Sequence, residues 1–239
     1  LGGIVGWLWG SISNCTSNVN ITISEYVVDD SYCGGICGVF ETEENESFTI
    51  IDCTNNGNIN VKVNPKSGNA TVSGIAGTVL CDMGDSKIEA CRNMGKLQLE
   101  LTGFGTAYVS GIAAINSYGN GTAGLINSCY NIGKLEASGD PNKKGCTYAC
   151  AGISVSYDEI NEKYYPLNSY YQKDTAEYGM CDSAGKAIDD DISGISAKTE
   201  EELKSKEFLA MLNKAVPLTD HTYVWESDEE GYPEVKEIK

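Results

Sequence analysis

The chain has 239 residues, enough for one large domain or two small ones, and carries 34 acidic against 17 basic residues for a net charge of −17. That balance argues against a nucleic-acid partner, whose phosphates need Lys and Arg, and against anionic membrane surfaces. No apolar run approaches the length of a membrane span, so no membrane insertion is expected.

Taken in chain order, the sequence repeats itself. Cys15, Cys53, Cys91 and Cys129 stand 38 residues apart, each preceded at three residues by Ile12, Ile50, Ile88 or Ile126. Two residues after each cysteine comes Ser17, Asn55, Asn93 or Asn131, and four after comes Val19, Gly57, Gly95 or Gly133. A Gly-Ile step recurs at Gly3, Gly35, Gly74, Gly111 and Gly152. A fifth, altered copy sets Leu167-Asn168-Ser169-Tyr170 against Ile126-Asn127-Ser128-Cys129. A fixed step of this kind marks a repeat architecture in which each unit buries its apolar face only against its neighbours.

Leu97-Gln98-Leu99-Glu100-Leu101 alternates apolar and polar residues, which is strand periodicity. Three short strands per repeat, with Gly95 at a bend needing positive φ, predict one coil of a right-handed parallel β-helix, about four to five coils in all. The fold class is therefore all-β with a small C-terminal α+β cap. Coils are expected over 1–30, 31–67, 68–105, 106–145 and 146–180, so residues 1–180 form the repeat domain. Equal positions stack about 4.8 Å apart. Ile12, Ile50, Ile88 and Ile126 make an inward ladder. Asn55, Asn93 and Asn131 make a polar ladder whose amides bond one another and the turn carbonyls.

The ladder cysteines are read as buried, reduced core groups, because in-register neighbours are set wider than the ~3.8 Å between Cβ atoms in a disulfide. Cys33 and Cys150 share the position of Val72 and Val109 and are read as core too. Cys33/Cys37 and Cys146/Cys150 lack the spacing of a zinc site, so neither a metal nor a cofactor is expected. The acidic run Glu41–Glu46 is read as a solvated loop, with a calcium site as the alternative. Trp7 and Trp9 either pack against a preceding coil or stack on a sugar ring. Tyrosines crowd residues 146–180 and are read as a lid on the open core. A ligand platform is the second reading, using Tyr157, Tyr164, Tyr165, Tyr171 and Tyr178.

Residues 181–239 read as a linker, a helix and a hairpin. Thr199-Glu200-Glu201-Glu202 is a capping box opening a helix to about Asn213, Pro217 forbids its continuation, and Tyr223–Val235 folds back on itself around Asp228–Gly231. So small a unit is expected to dock on the last coil or to hang as an appendage.

The marks Gly35-Ile36-Cys37-Gly38 and Gly74-Ile75-Ala76-Gly77, each with a following Asp52-Cys53-Thr54-Asn55-Asn56-Gly57 or Ser128-Cys129-Tyr130-Asn131-Ile132-Gly133, resemble the GLUG-type repeats of Gram-positive cell-surface proteins. The closing order Asn168-Ser169-Tyr170-Tyr171, Lys198–Leu203, Trp225 and Gly231-Tyr232-Pro233 is similar to that group as well. The resemblance implies an exported, adhesin-like module at the cell surface that binds a host or environmental glycan or protein, or spaces other parts. The chain starts inside a repeat mark and is read as a fragment, with a leader and upstream repeats of the same polypeptide expected before Leu1. Some relatives in that group are IgA-cleaving metalloproteases. The single His221 and the lack of a His-Glu-x-x-His run exclude that chemistry here. A polysaccharide lyase or hydrolase is the alternative, but it needs opposed carboxylates at related positions, whereas Asp52 stands alone in its ladder and Arg92, the one arginine, reads as isolated. The reading is of a non-enzyme.

Overall fold

The 38-residue step becomes one turn of a parallel β-solenoid. The computed structural model describes residues 1–24, 30–42, 46–65, 68–81, 86–116, 125–139, 146–157, 165–188, 194–215 and 223–237. Four stacks of strands run along it. Sheet I collects Val5–Leu8, Cys37–Thr42, Ala76–Cys81, Ala113–Asn116, Ser154–Ser156 and Met180–Cys181 in parallel, closed by antiparallel Ala187–Ile188. Sheet II collects Ile12–Ser17, Thr49–Asn55, the pairs Lys87–Glu89/Arg92–Asn93 and Ile126–Asn127/Tyr130–Asn131, then Ser169–Gln172 and Ile195–Lys198. Sheet III stacks Ile21–Ser24, Ile59–Val63, Leu97–Leu101 and Leu135–Gly139. Sheet IV stacks Ser31–Gly34, Asn69–Ser73, Gly105–Ser110 and Cys146–Ala151.

A coil therefore has four strands, not the expected three. The Gly-Ile step is itself a corner, dividing one apolar run between sheets IV and I. Its glycine is demanded by crowding: a Cβ on Gly74 would lie 2.1 Å from the Gly111 carbonyl oxygen and 2.5 Å from the Asn93 side chain.

The bend expected at Gly95 lies elsewhere. Positive φ falls on Asn14 (51°), Asp52 (52°), Ala90 (53°), Ser128 (52°) and Asn168 (48°), a column immediately before the ladder cysteines. Left-handed backbone disfavours L-residues by about 1–2 kcal/mol, so something must hold it. The next residue does so: the thiols of Cys15, Cys53, Cys91 and Cys129 reach back to the carbonyls of Ser13, Ile51, Glu89 and Asn127 at 3.2–3.3 Å. Ser169 makes the same bond to Leu167 at 2.9 Å. Ser169 is thus the counterpart of Cys129, and Tyr170 pairs with Tyr130. The alignment of the fifth copy moves by one residue, because a hydroxyl replaces the thiol and hid the register. Gly95 is needed for close approach alone, since a Cβ there would sit 2.0 Å from the Gly57 oxygen.

Two apolar cores fill the tube. One lies between sheets I and II, around Ile36, Phe40, Ile50, Ile75, Ile88, Ile112 and Ile126. The other lies between sheets III and IV, around Ile59, Val61, Val72, Leu97, Leu99, Leu101 and Val109. Between them the Asn column crosses the lumen. Asn55 donates to Asn93 at 2.8 Å and Asn93 to Asn131 at 2.7 Å, while the same amide nitrogens reach the carbonyls of Gly57, Gly95 and Gly133. Each Asn side chain stands against the Gly-Ile corner opposite: Gly35, Gly74 and Gly111. The tube is pinched there.

The C-terminal segment does not cover the end of the stack. It lies along the flank of sheet II, where Leu203, Phe208, Leu212, Tyr223, Trp225 and Tyr232 pack on Ile51, Ala90, Tyr130 and Tyr170 from successive coils. The capping box is present, with Thr199 Oγ1 accepting from the Glu202 amide and Glu202 accepting from the Thr199 amide. The helix it opens ends at Leu203, however. Ser205 caps a second helix, Lys206–Ala215, through the Phe208 amide. Pro217 lies outside the described residues. Tyr223–Ser227 and Pro233–Glu237 pair antiparallel, as the hairpin reading expects.

Candidate functional site

The Gly-Ile corner that meets the Asn column joins sheet IV to sheet I, and residues from both sheets line one groove. In register along sheet IV, the outward positions are Tyr32, Thr71, Tyr108 and Ala149. Along sheet I, Trp7, Val39 and Thr78 are in register. Strand alternation puts Tyr32, Thr71 and Tyr108 on the face opposite Cys33, Val72 and Val109, which line the core. The result is an aromatic groove along the solenoid.

Its far half is filled. Tyr108, Ala149, Ala151, Val155 and Cys181 form a buried cluster with Tyr157 packed against it. The Tyr157 and Tyr108 rings are 4.3 Å apart, tilted at 52°. The Tyr157 hydroxyl bonds Thr71 Oγ1, and burial pushes its phenol well above the ordinary value. The near half is open, with a cavity of about 300 Å³ whose walls include Gly6, Trp7, Asp30, Tyr32, Val39 and Thr71. Trp7 is 58 % exposed and its indole nitrogen donates to Glu41 Oε2 at 2.7 Å. Asp30 accepts from the Asn69 amide at 2.6 Å and from the Tyr32 hydroxyl at 3.4 Å. The Leu1 nitrogen, also at this mouth, donates to the Tyr32 carbonyl. The Trp7 indole, Tyr32, the Asp30 carboxylate and the Leu1 nitrogen meet at one opening, backed by apolar Ile23, Cys33, Val61 and Val63.

Most of the tyrosines expected to form a platform are not gathered there. Tyr157 is in the groove, but Tyr171 is buried in the core with its ring against Gly152, and Tyr165 packs half-buried against the same core. Tyr178 turns to Glu177, which accepts its hydroxyl at 2.7 Å and raises its pKa. Tyr164 lies outside the described residues. Neighbouring tyrosines such as Tyr170 and Tyr171 point to opposite sides of one strand, which crowding in the sequence conceals. Tyr32 and Tyr108 are 76 residues apart, and in the sequence only their shared repeat position links them.

Arg92 is the other correction. Far from isolated, it sits under the C-terminal hairpin, donating to Thr54 Oγ1 (3.1 Å), Tyr130 Oη (3.4 Å), Asp228 Oδ2 (3.0 Å), the Pro233 carbonyl (2.8 Å) and Glu234 Oε2 (3.3 Å). Tyr130 donates to the same Pro233 carbonyl, and Tyr223 donates to buried Glu89 at 3.2 Å. This is a structural clasp in which Nε, Nη1 and Nη2 all reach acceptors of the protein.

The thiols of Cys15, Cys33, Cys37, Cys53, Cys91, Cys129, Cys150 and Cys181 are free. Burial pushes the Cys33 thiol up to about 11 and those of Cys37, Cys150 and Cys181 up to about 12. Among the described residues, no group of three or more His, Cys, Asp or Glu is placed to hold a metal ion. His221 and residues 43–45 of the acidic run lie outside those residues. No described helix is long and apolar enough to cross a membrane.

Fold and groove together define a parallel β-solenoid with a lateral aromatic cleft. Comparison with protein-family models, with curated proteins and with solved structures gives no match.

Proposed function

We propose that the chain is a non-catalytic, adhesin-like module of an exported cell-surface protein, a rigid stack that presents a binding groove to a host or environmental glycan. One observation carries this reading: the exposed Trp7 ring, fixed by Glu41, opens beside Tyr32 and Asp30 on a cleft built from in-register strands. Indole and phenol faces held on a rigid sheet bind apolar sugar faces with little ordering loss, and a flanking carboxylate accepts hydroxyl protons. The GLUG-like repeat marks favour surface display. A glycan array probed with the full chain tests the reading, read alongside assays for new reducing ends and unsaturated uronates. Saturable binding without turnover is the expected result. Turnover that is lost on changing an acidic residue would make the chain an enzyme and overturn the proposal.

A further inference from the structure

Of the four walls, sheet II lies under the C-terminal segment and residues of sheets IV and I line the groove. The outer face of sheet III is different: it exposes a polar surface of Thr22, Ser24, Asn60 and Lys62. We propose that this face carries a modification site, Asn20, which accepts an asparagine-linked glycan on the folded chain. The inference draws on export, which brings a chain to glycan transferases, and not on any ligand in the groove.

Transfer to asparagine requires the triplet Asn-x-Ser/Thr, with x other than Pro, at an accessible surface. Among the described residues that triplet begins at Asn14, Asn20 and Asn69. On a strand, residues two apart project from one side and the residue between them from the other. Asn20-Ile21-Thr22 meets this at the entry to Ile21–Ser24: Ile21 is buried in the core, while Asn20 and Thr22 are both exposed. Asn20 is also oriented. Its Oδ1 accepts from the Asn58 amide at 2.9 Å, which fixes the carboxamide and leaves Nδ2, the atom to be glycosylated, without an acceptor among the described residues. The exposure belongs to the repeat position: Asn58 and Asn60, the counterparts of Asn20 and Thr22, are exposed with a coil on either side. The other triplets are set differently. Thr71 of Asn69-Ala70-Thr71 is 2 % exposed with its hydroxyl bonded to Tyr157, and Asn69 is half-buried. Asn14 and Thr16 are exposed, but Asn14 lies on the left-handed bend, φ 51°, which interrupts strand alternation. The reaction joins Nδ2 of Asn20 to the anomeric carbon of a sugar activated as its nucleoside or lipid diphosphate. The N–C bond forms as the C–O bond to the diphosphate breaks; the diphosphate leaves with the electron pair, and the proton lost from nitrogen passes to a base of the transferase. The product adds hydrophilic bulk to a polar wall and touches neither core.

The experiment incubates the folded full chain with a purified asparagine glucosyltransferase of Asn-x-Ser/Thr specificity and UDP-glucose, and locates added hexose by peptide mass spectrometry. Synthetic peptides spanning 16–26 and 65–75 serve as unfolded acceptors, and both are expected to be modified. In the folded chain Asn20 should gain hexose faster than Asn69 by about tenfold or more, because Asn69 and Thr71 must wait for local opening. Asn20→Gln should remove the modification. Thr22→Val should also remove it while leaving the Asn20–Asn58 bond in place, and Thr22→Ser should retain it at a lower rate. A folded chain left unmodified at Asn20 while its peptide is modified would overturn the proposal. So would an unmodified 16–26 peptide, or equal rates at Asn20 and Asn69 in the folded chain. Glycan-array binding reads the groove instead, so failure of either result leaves the other standing.

Discussion

The Arg92 guanidinium lies 3.0 Å from the Asp228 carboxylate, joining residues 136 positions apart in the chain. Through this contact and the Pro233 carbonyl, the solenoid holds its C-terminal hairpin against the flank. Both side chains are largely withdrawn from water, 10 % and 17 % exposed, so removing one leaves the other poorly compensated. Arg92→Ala is expected to destabilise by about 3–5 kcal/mol, the range for breaking a buried pair. Arg92→Lys should recover little, because one ammonium cannot serve Thr54, Tyr130, Asp228, Pro233 and Glu234 together. Urea denaturation of both variants checks this; an unchanged midpoint for Arg92→Ala would mean the clasp contributes nothing.

Asn93 is both acceptor for Asn55 and donor to Asn131 in a fully buried column. Asn93→Ala should destabilise by about 1–3 kcal/mol for each group orphaned. Asn93→Asp should be at least as damaging, since a carboxylate can accept from Asn55 but cannot donate to Asn131 or the Gly95 carbonyl. Thermal melts of the two variants near pH 7 are the measurement, and an Asp variant as stable as wild type would refute the direction of the column.

Inward and outward ladder positions should separate cleanly. Ile88, wholly buried and in register with Ile50 and Ile126, should lose about 2–5 kcal/mol as Ile88→Ala through the cavity left behind. Lys96 makes an exposed ion pair with Glu136, and its alanine variant should change stability by less than about 1 kcal/mol. Comparable losses at both positions would contradict the register.

Ser169 occupies the cysteine position of the last copy and makes the same bond to the bend, so Cys91→Ser should keep the staple to Glu89. Cys91→Val should lose it and destabilise more, despite the closer match in polarity. In the native protein, Cys91 should react with a thiol reagent only after unfolding, because burial withholds its thiolate. Mass spectrometry after timed labelling reads the outcome directly.

Alkaline pH should destabilise the fold. Burial raises Cys33 to about 11 and Cys37 and Cys181 to about 12 from an ordinary 9.0. A raised folded pKa means that the native state holds more protons than the unfolded chain above that ordinary value. The associated stability is intact below pH 9 and is lost as pH climbs toward the folded values, by about 1.4 kcal/mol per unit for each such group. Denaturant titrations at pH 8 and pH 10 should show the fall, and Cys37→Val should make it shallower.

The repeat step alone determined the β-solenoid, the inward isoleucines, the stacked asparagines and the buried thiols. Each of these follows from equal residues meeting equal residues at one coil's distance, a relation that sequence spacing states outright. Tertiary structure alone decided the remainder. The left-handed bend fell on Asp52, Ala90 and Ser128 rather than on Gly95, because the following thiol holds it, a hydrogen bond that no residue type announces. The groove arose at the Gly-Ile corner that joins sheet IV to sheet I, bringing Trp7 beside Tyr32 across two sheets. Arg92 found its partners only when the hairpin folded back along the flank, a contact between one repeated and one unrepeated segment for which spacing carries no signal.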